Sequence, residues 1–446
     1  MKKRRIIGRR VMLPALMLAS LNAWSDDIMS TYQLAAEQDP KYRAAINIYD
    51  AENARLGVGR AGLLPFLGAD AGTNRRNQKN SSNDDIPGLD GEADFNIESW
   101  SVEFSQALFD APAWQVYQQA KINVEKAAFD LSAATQELIY RVASVYGLAL
   151  VAQENLRVSE AEKNALAEQL ELDKERLNVG LGTVTNLYAT ESRYSLAVTN
   201  VIEADFSLRD ALVALKELTG QEPGELKVIA KDKPPLDPPS PDNLDYWVET
   251  SLNNNLDYLA AQRTVEIADR EVARIKAGHL PTLDLVARHS NIDADGSLSG
   301  SGRVSENTDV GLQLGIPLIQ GWGVVAGTKE ARALYQAALQ DQEGIRRNVD
   351  RQSRSAYQAL KSGISRLQAL KSAVKAGNST VEAKREGFQA GVNTNVEVLD
   401  AVRDLYGSER DYIQAKYQFM LSTLQLKLVA GNLSVNDLEV VNSWLE

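Results

Sequence analysis

The chain carries one plan twice. Leu64-Pro65 recurs as Leu280-Pro281, each preceded by an Ala-Gly pair, Ala61-Gly62 and Ala277-Gly278. Gly180-x-x-Thr183 recurs as Gly391-x-x-Thr394, and Leu215-Lys216 with Gly220 recurs as Leu426-Lys427 with Gly431. The offset is 216 residues for the first match and 211 for the others, so the first copy carries a loop about five residues longer. Only 8 of 47 positions agree between 175–221 and 386–432, so backbone geometry rather than surface chemistry repeats. The shared positions are turns, caps and core residues, where conformation restricts the choice.

Proline and glycine divide each copy. After Pro112 there is no proline until Pro223, and between 113 and 179 the only glycine is Gly147. After Pro317 there is no further proline. This predicts a very long helix in each copy, roughly 113–179 and 324–390, each about 100 Å at 1.5 Å per residue. Gly327, Gly344, Gly363, Gly377 and Gly387 weaken the second. Gly180 and Gly391 stand where a left-handed residue closes a helix, and Thr183 and Thr394 follow as N-caps of returning helices, 183–219 and 394–430. Thr394-x-x-Glu397 has the form of a capping box. In the first returning helix a stripe at Leu187, Glu191, Tyr194, Val198, Val201, Asp205, Leu208, Leu212 and Leu215 reads as a heptad seam. A third helix is expected before each Leu-Pro, at 27–61 and 242–277.

Four segments alternate apolar with polar or tiny residues. They are 66–74, 97–108 (Trp100, Val102, Phe104), 282–290 and 308–316 (Val310, Leu312, Leu314). Such ribbons suit a transmembrane β-barrel, although a half-buried sheet on a soluble core alternates in the same way. Four strands cannot close a barrel and lipid tolerates no open edge, so a membrane barrel here needs several chains. The expected layout is therefore a first repeat at 26–230, with a helix, strands 63–76 and 96–109, and a hairpin tip near 180–183. A proline-rich linker, 231–241, leads to a second repeat at 242–446, with a helix, strands 282–291 and 307–318, and a tip near 391–394. The loops 75–95 and 291–307 join the paired strands.

The first 25 residues read as an export signal. Lys2, Lys3, Arg4, Arg5, Arg9 and Arg10 precede an apolar run from Val11 to Leu21 and a small-x-small site at Ala23-Trp24-Ser25. Arg9-Arg10 fits a twin-arginine signal only loosely. Loss of those six cations takes the net charge from −12 to −18, which disfavours nucleic acid as a partner. There is no cysteine for a disulfide or a lipid anchor.

In order and duplication, these segments resemble the TolC family of outer-membrane export channels. The cues are Leu108-Phe109-Asp110, Ile316-Pro317-Leu318-Ile319-Gln320-Gly321, Val179-Gly180-Leu181 and Val396-Glu397-Val398-Leu399-Asp400-Ala401, and the likeness runs from about 28 to 435. The resemblance implies a mixed α+β membrane protein. Three chains would share a 12-stranded β-barrel and a periplasmic α-helical barrel in the outer membrane of a Gram-negative bacterium. It further implies docking with a periplasmic adaptor protein and an inner-membrane pump, ATP-binding-cassette or proton-driven, in type I secretion or multidrug efflux.

By the same resemblance, Glu397 and Asp400 form the entrance constriction, since relatives carry aspartates there. Three copies would make a ring of six carboxylates favouring cations. Read from the residues alone, the same two acids simply cap a helix and favour its dipole. Val179, Gly180, Leu181, Ala390, Gly391 and Val392 are the places where, by resemblance, an adaptor docks; read structurally they are helix ends. Relatives carry an aromatic hydroxyl and an arginine where this chain has Phe388 and Asn393, and an acid where it has Asn186. The links that hold the entrance shut are therefore expected to be looser.

Nothing in the sequence points to an enzyme or a cofactor. His279 and His289 are the only histidines, in no metal-spaced cluster, and Gly321 to Lys329 lacks the Gly-Lys-Ser/Thr ending of a phosphate loop. Asn291-x-Asp293-x-Asp295-Gly296 resembles a calcium loop but has Gly302 where the closing acid belongs. The competing reading is a soluble periplasmic coiled-coil tether, which explains the helices and caps but not four alternating strands.

Overall fold

A computed structural model of the chain describes residues 27–81, 91–230 and 233–446; the export signal expected at 1–25 lies outside them. In chain order the elements are α1 (Ile28–Gln38), α2 (Pro40–Ala61), β1 (Phe66–Asn80), β2 (Gly91–Phe109), α3 (Ala111–Asn178), α4 (Val184–Thr219), α5 (Leu244–Asn254), α6 (Leu256–Ala277), β3 (Thr282–Ala294), β4 (Arg303–Gly315), α7 (Gly323–Gln389), α8 (Asn395–Val429) and α9 (Val435–Asn442).

The long helices are continuous. α3 has 68 residues and α7 has 67, each about 100 Å long. Asp110 starts α3 by accepting from the Ala113 amide at 2.8 Å, and Pro112 stands in the first turn, where its missing N–H costs nothing. The glycines of α7 do not break it, because several admit close packing. A Cβ on Gly377 would lie 3.1 Å from Leu405, on Gly327 3.2 Å from Ile275, and on Gly363 3.4 Å from Phe419.

The third helices expected at 27–61 and 242–277 are each two helices. Asp39 is extended (ψ 119°), ends α1, and caps α2 by accepting from the Tyr42 amide at 2.8 Å. Pro40 disfavours helical backbone at Asp39, which explains the break. In the second copy Asn255 does this without a proline: it caps α6 through Tyr258, while its Nδ2 donates to Val429 O at 3.0 Å. The seam expected on α4 is also displaced. Its residues are only half-buried or exposed except Leu215, and full burial falls at Thr190, Ala197, Ala211, Leu215, Leu218 and Thr219. Small side chains there let the helices approach closely.

The main core lies where α1, α3, α4, α8 and α9 meet, around Leu138, Tyr146, Leu150, Met420, Leu424 and Leu438. Gly431 closes α8 beside it with φ 71°, and an added Cβ would stand 2.1 Å from Asn254 O. Gly431→Ala is expected to destabilise the fold by about 1–3 kcal/mol from overpacking alone, with left-handed backbone strain added. Chemical denaturation followed by helical circular dichroism measures it.

The four strands form one antiparallel sheet in the order β1-β2-β3-β4. They differ from the expected 63–76, 96–109, 282–291 and 307–318. β1 begins only at Phe66, since Leu63 and Leu64 still bond back to Arg60 and Ala61 and Pro65 cannot donate. β4 ends at Gly315, before Pro317. β1 and β2 continue further into 75–95, and β3 and β4 shorten the expected 291–307 loop to 295–302. Asp295 there accepts from the Asn96 amide at 2.7 Å, and among the described residues no group of three or more potential metal ligands occurs.

The register sorts the two faces. Leu67, Phe104, Ala287 and Val310 are aligned across the sheet, with Trp100, Val102, Leu285, Leu312 and Leu314 on the same face. Leu67, Val310, Leu312 and Leu314 are 60–72% exposed. On the other face the row Gly68, Glu103, Arg288, Asp309 follows one residue on. Among the described residues β1 and β4 each have one unpaired edge. No described helix is long and apolar enough to cross a membrane. The proline-rich connector is irregular over its described residues and is held at its end by Asp242, which accepts from Tyr357 and Lys361.

Candidate functional site

The two hairpin tips are built by backbone geometry. Gly180 (φ 75°) follows α3, and the Leu181 and Gly182 amides both donate to Arg176 O, at 2.8 and 2.9 Å. Gly391 (φ 77°) follows α7 in the same way, with the Val392 and Asn393 amides donating to Gly387 O. These bonds satisfy the last carbonyls of each long helix. Thr183 Oγ1 accepts from the Asn186 amide at 3.2 Å, and Thr394 with Glu397 forms a complete capping box. Val179, Leu181 and Val392 project from the tips at 69%, 73% and 80% exposure, and Ala390 and Gly391 are exposed beside them.

Glu397 is heavily engaged. It accepts from the Thr394 amide at 2.7 Å, from Lys384 Nζ at 3.0 Å and from Asn393 Nδ2 at 3.2 Å. The Thr394 amide bond first, then Lys384, Asn393 and the Thr394 hydroxyl, draw its carboxyl down from 4.5 to about 2. Asp400 accepts from Arg193 Nη2 of α4 at 3.0 Å and faces Arg403 at 3.3 Å, and Arg403 also pairs with Asp404. Each entrance candidate thus has its own cation, which leaves less free negative charge than six bare carboxylates would carry. Sequence reasoning missed Lys384 and Arg193, whose pairing depends on contacts across helices.

A second feature was also not legible in the sequence. Beneath the tips, Gln169 and Asp173 of α3, Thr190 of α4 and Asn395 of α8 are buried together. Thr190 Oγ1 donates to Asp173 at 2.6 Å, and Asn395 Nδ2 donates to Asp173 at 2.9 Å and to Thr190 Oγ1 at 2.8 Å. Gln169 Nε2 donates to Asp173 and to Asn395 Oδ1, both at 3.2 Å. A polar residue on an otherwise apolar helix face was the only available signal.

The departures noted at Phe388, Asn393 and Asn186 are filled by other contacts. Phe388 is buried with the Arg176 guanidinium 4.7 Å from its ring centre. Asn393 donates to Glu397, and the Asn186 carbonyl accepts from Asn395 at 3.4 Å. Within the single chain the tip is tied by these contacts in place of the expected ones.

Comparison with known proteins agrees with this architecture. The family described as "Outer membrane efflux protein" matches residues 31–221 and 247–432. The chain is 31% identical to the outer membrane protein TolC of Vibrio cholerae serotype O1, over 98% of each chain. It is 29% identical to the proteases secretion protein PrtF of Dickeya chrysanthemi, over 97% of this chain and 94% of that one. In fold it resembles the Campylobacter jejuni CmeC outer membrane channel, with a TM-score of 0.78 at 16% identity, covering 91% of this chain and 85% of that one.

Proposed function

The chain belongs to the outer membrane efflux protein family, and from that premise we propose a passive trimeric conduit from periplasm to exterior. It is an outer-membrane channel protein of secretion or efflux, like its relatives. The observation that carries the conduit is the sheet. A four-stranded ribbon with two open edges and an exposed apolar face is unstable alone in water or lipid. Three copies joined edge to edge give 12 strands, enough to close a barrel with Leu67, Val310, Leu312 and Leu314 toward lipid and the Glu103–Arg288–Asp309 row toward water. The helices then extend the passage about 100 Å inward.

Glu397 and Asp400 are assigned to the entrance and the exposed tips around Leu181 and Val392 to adaptor docking. Energy would come from an inner-membrane pump, since the residues described supply the conduit and not a motor. The competing tether has no use for the exposed apolar sheet face. Membrane fractionation tests the proposal. The protein is expected in detergent extracts of outer membranes as a three-chain species that heating dissociates; soluble periplasmic monomer would overturn it.

A further inference from the structure

A cavity of about 780 Å³ opens between α3, α7 and α8, beside the stretch of chain that follows α4. Lys371 on its rim stands 20 residues before Gly391, about 30 Å along α7 from the tip. The floor is apolar: Ile229, Ile413 and Tyr417 are 3–7% exposed, with Val374 beside them. Lys371 and Lys375 of α7 and Lys416 of α8 line the same space. We infer that this cavity is a binding site for an anionic amphiphile, an acidic group such as a phosphate carried on an apolar body. Every lining residue belongs to one chain, so the inference does not depend on the conduit reading.

The charge of the ligand follows from Lys416. This residue is half-buried and donates from Nζ to Ile229 O at 2.7 Å and to Ala230 O at 3.1 Å. An ammonium carries three hydrogens, so one is left to use. Burial chiefly pushes this ammonium below its usual range; Lys371 adds to the shift, while Glu154 and Glu446 oppose it. Among the described residues, Lys371, Lys375 and Lys416 form no ion pair. The acids of the cavity do not supply one. Glu154 is engaged by Arg157 at 3.0 Å. Glu409 is half-buried, and its carboxyl is pushed up chiefly by burial, against the pull of Arg157 and Arg410. A half-buried cation with a second cation near it is stabilised by an anion arriving from outside. Lys371 and Lys375, one turn apart and exposed, place two flexible ammonium groups at the mouth to meet it. The apolar body follows from the floor. A bare anion would leave Val374, Ile413 and Tyr417 facing water, whereas a volume of this size with an apolar lining and a few polar groups suits a small molecule.

Isothermal titration calorimetry of detergent-purified protein tests this, with n-octyl phosphate as the probe and the heat of empty micelles subtracted. One molecule is expected to bind per chain. Lys416→Met is expected to weaken binding about tenfold or more, and so is the double substitution Lys371→Gln with Lys375→Gln. Lys416→Met also removes two hydrogen bonds that hold the chain after α4, so the exposed rim pair, whose helical circular dichroism should match the parent, gives the decisive comparison. Inorganic phosphate lacks the apolar body and n-octyltrimethylammonium lacks the negative charge; each is expected to bind about tenfold more weakly or not at all. Equal binding of n-octyl phosphate by the parent and the rim variant, or equal binding of the octyl cation, would overturn the anion site. Inorganic phosphate bound as tightly as n-octyl phosphate would overturn the amphiphile. A parent protein that stays monomeric and outside the membrane would instead sink the conduit reading, and the titration would still judge the cavity.

Discussion

Replacing Ile202 and Phe206 of α4 with aspartate is expected to leave folded monomers and no trimer. At the tip end of the chain α3 packs on α4 and α8, and α8 on α7, so α4 and α7 are the outer helices with an open face each. On α4 that face shows Tyr188, Leu196, Ile202, Phe206 and Val213, all 57–70% exposed. Large side chains left in water along a helix mark a contact surface. On α7 the exposed face shows Ala369, Ala373, Ala376, Thr380 and Ala383, small residues at coiled-coil spacing. The two helices run in opposite directions relative to the tip. Ile202 lies 19 residues beyond Thr183, and Ala369 lies 20 before Gln389, so the large face of one chain meets the small face of the next at the same level. Covering each large side chain contributes about 1.5–3 kcal/mol, and a trimer covers six of these two types, roughly 9–18 kcal/mol before ordering costs. Six buried carboxylates would replace that gain with a desolvation penalty. Mass photometry of detergent-purified protein reads the result; a variant that still trimerises would show that this face is not the subunit contact.

The double substitution Glu397→Ala with Asp400→Ala is expected to raise single-channel conductance several-fold and to weaken cation preference. Removing both side chains widens the passage and deletes the charge together. The ion pairs refine the expectation. Arg193→Ala alone should increase cation preference, because Asp400 loses one of its two cations. The two changes thus move reversal potentials in opposite directions, which a general loss of structure would not do. Acid gives a further reading. Glu397 is held at about 2, below its ordinary 4.5, chiefly by the Thr394 amide and by Lys384. A depressed carboxyl stabilises the folded tip at all pH values above 4.5, and that contribution is lost only as pH falls from 4.5 toward 2. With Asp400 replaced by alanine, the remaining cation preference should hold from neutral pH through 4.5 and collapse only near 2. A midpoint at 4.5 would mean that the cap does not hold Glu397 in the open channel.

The elements themselves were largely legible because their causes are local. A proline-free run, a glycine that must adopt φ near +75° and a threonine one turn before an acid are each decided within a few residues. Alternation identified the sheet for the same reason, and errors of a few residues at its ends came from where the ladder stops pairing. The breaks at Asp39 and Asn255 fall inside segments expected to be single helices; Pro40 marks the first, and no proline marks the second. Asn255 illustrates the limit, since the carbonyl it binds belongs to Val429, 174 residues away.

The sequence by itself therefore determined the rods, the turns and the ribbon, together with the duplication that orders them. Only the tertiary structure decided which charges stand alone. The cap on Glu397 is readable along the chain, but not that Lys384 also holds it or that Asp400 is held by Arg193, 207 residues earlier. Asn395 and Asp173, 222 residues apart, carry no mark in the sequence of being each other's partners. Backbone preference is a property of neighbours in the chain, whereas a hydrogen bond between distant side chains exists only once packing has brought two helices together.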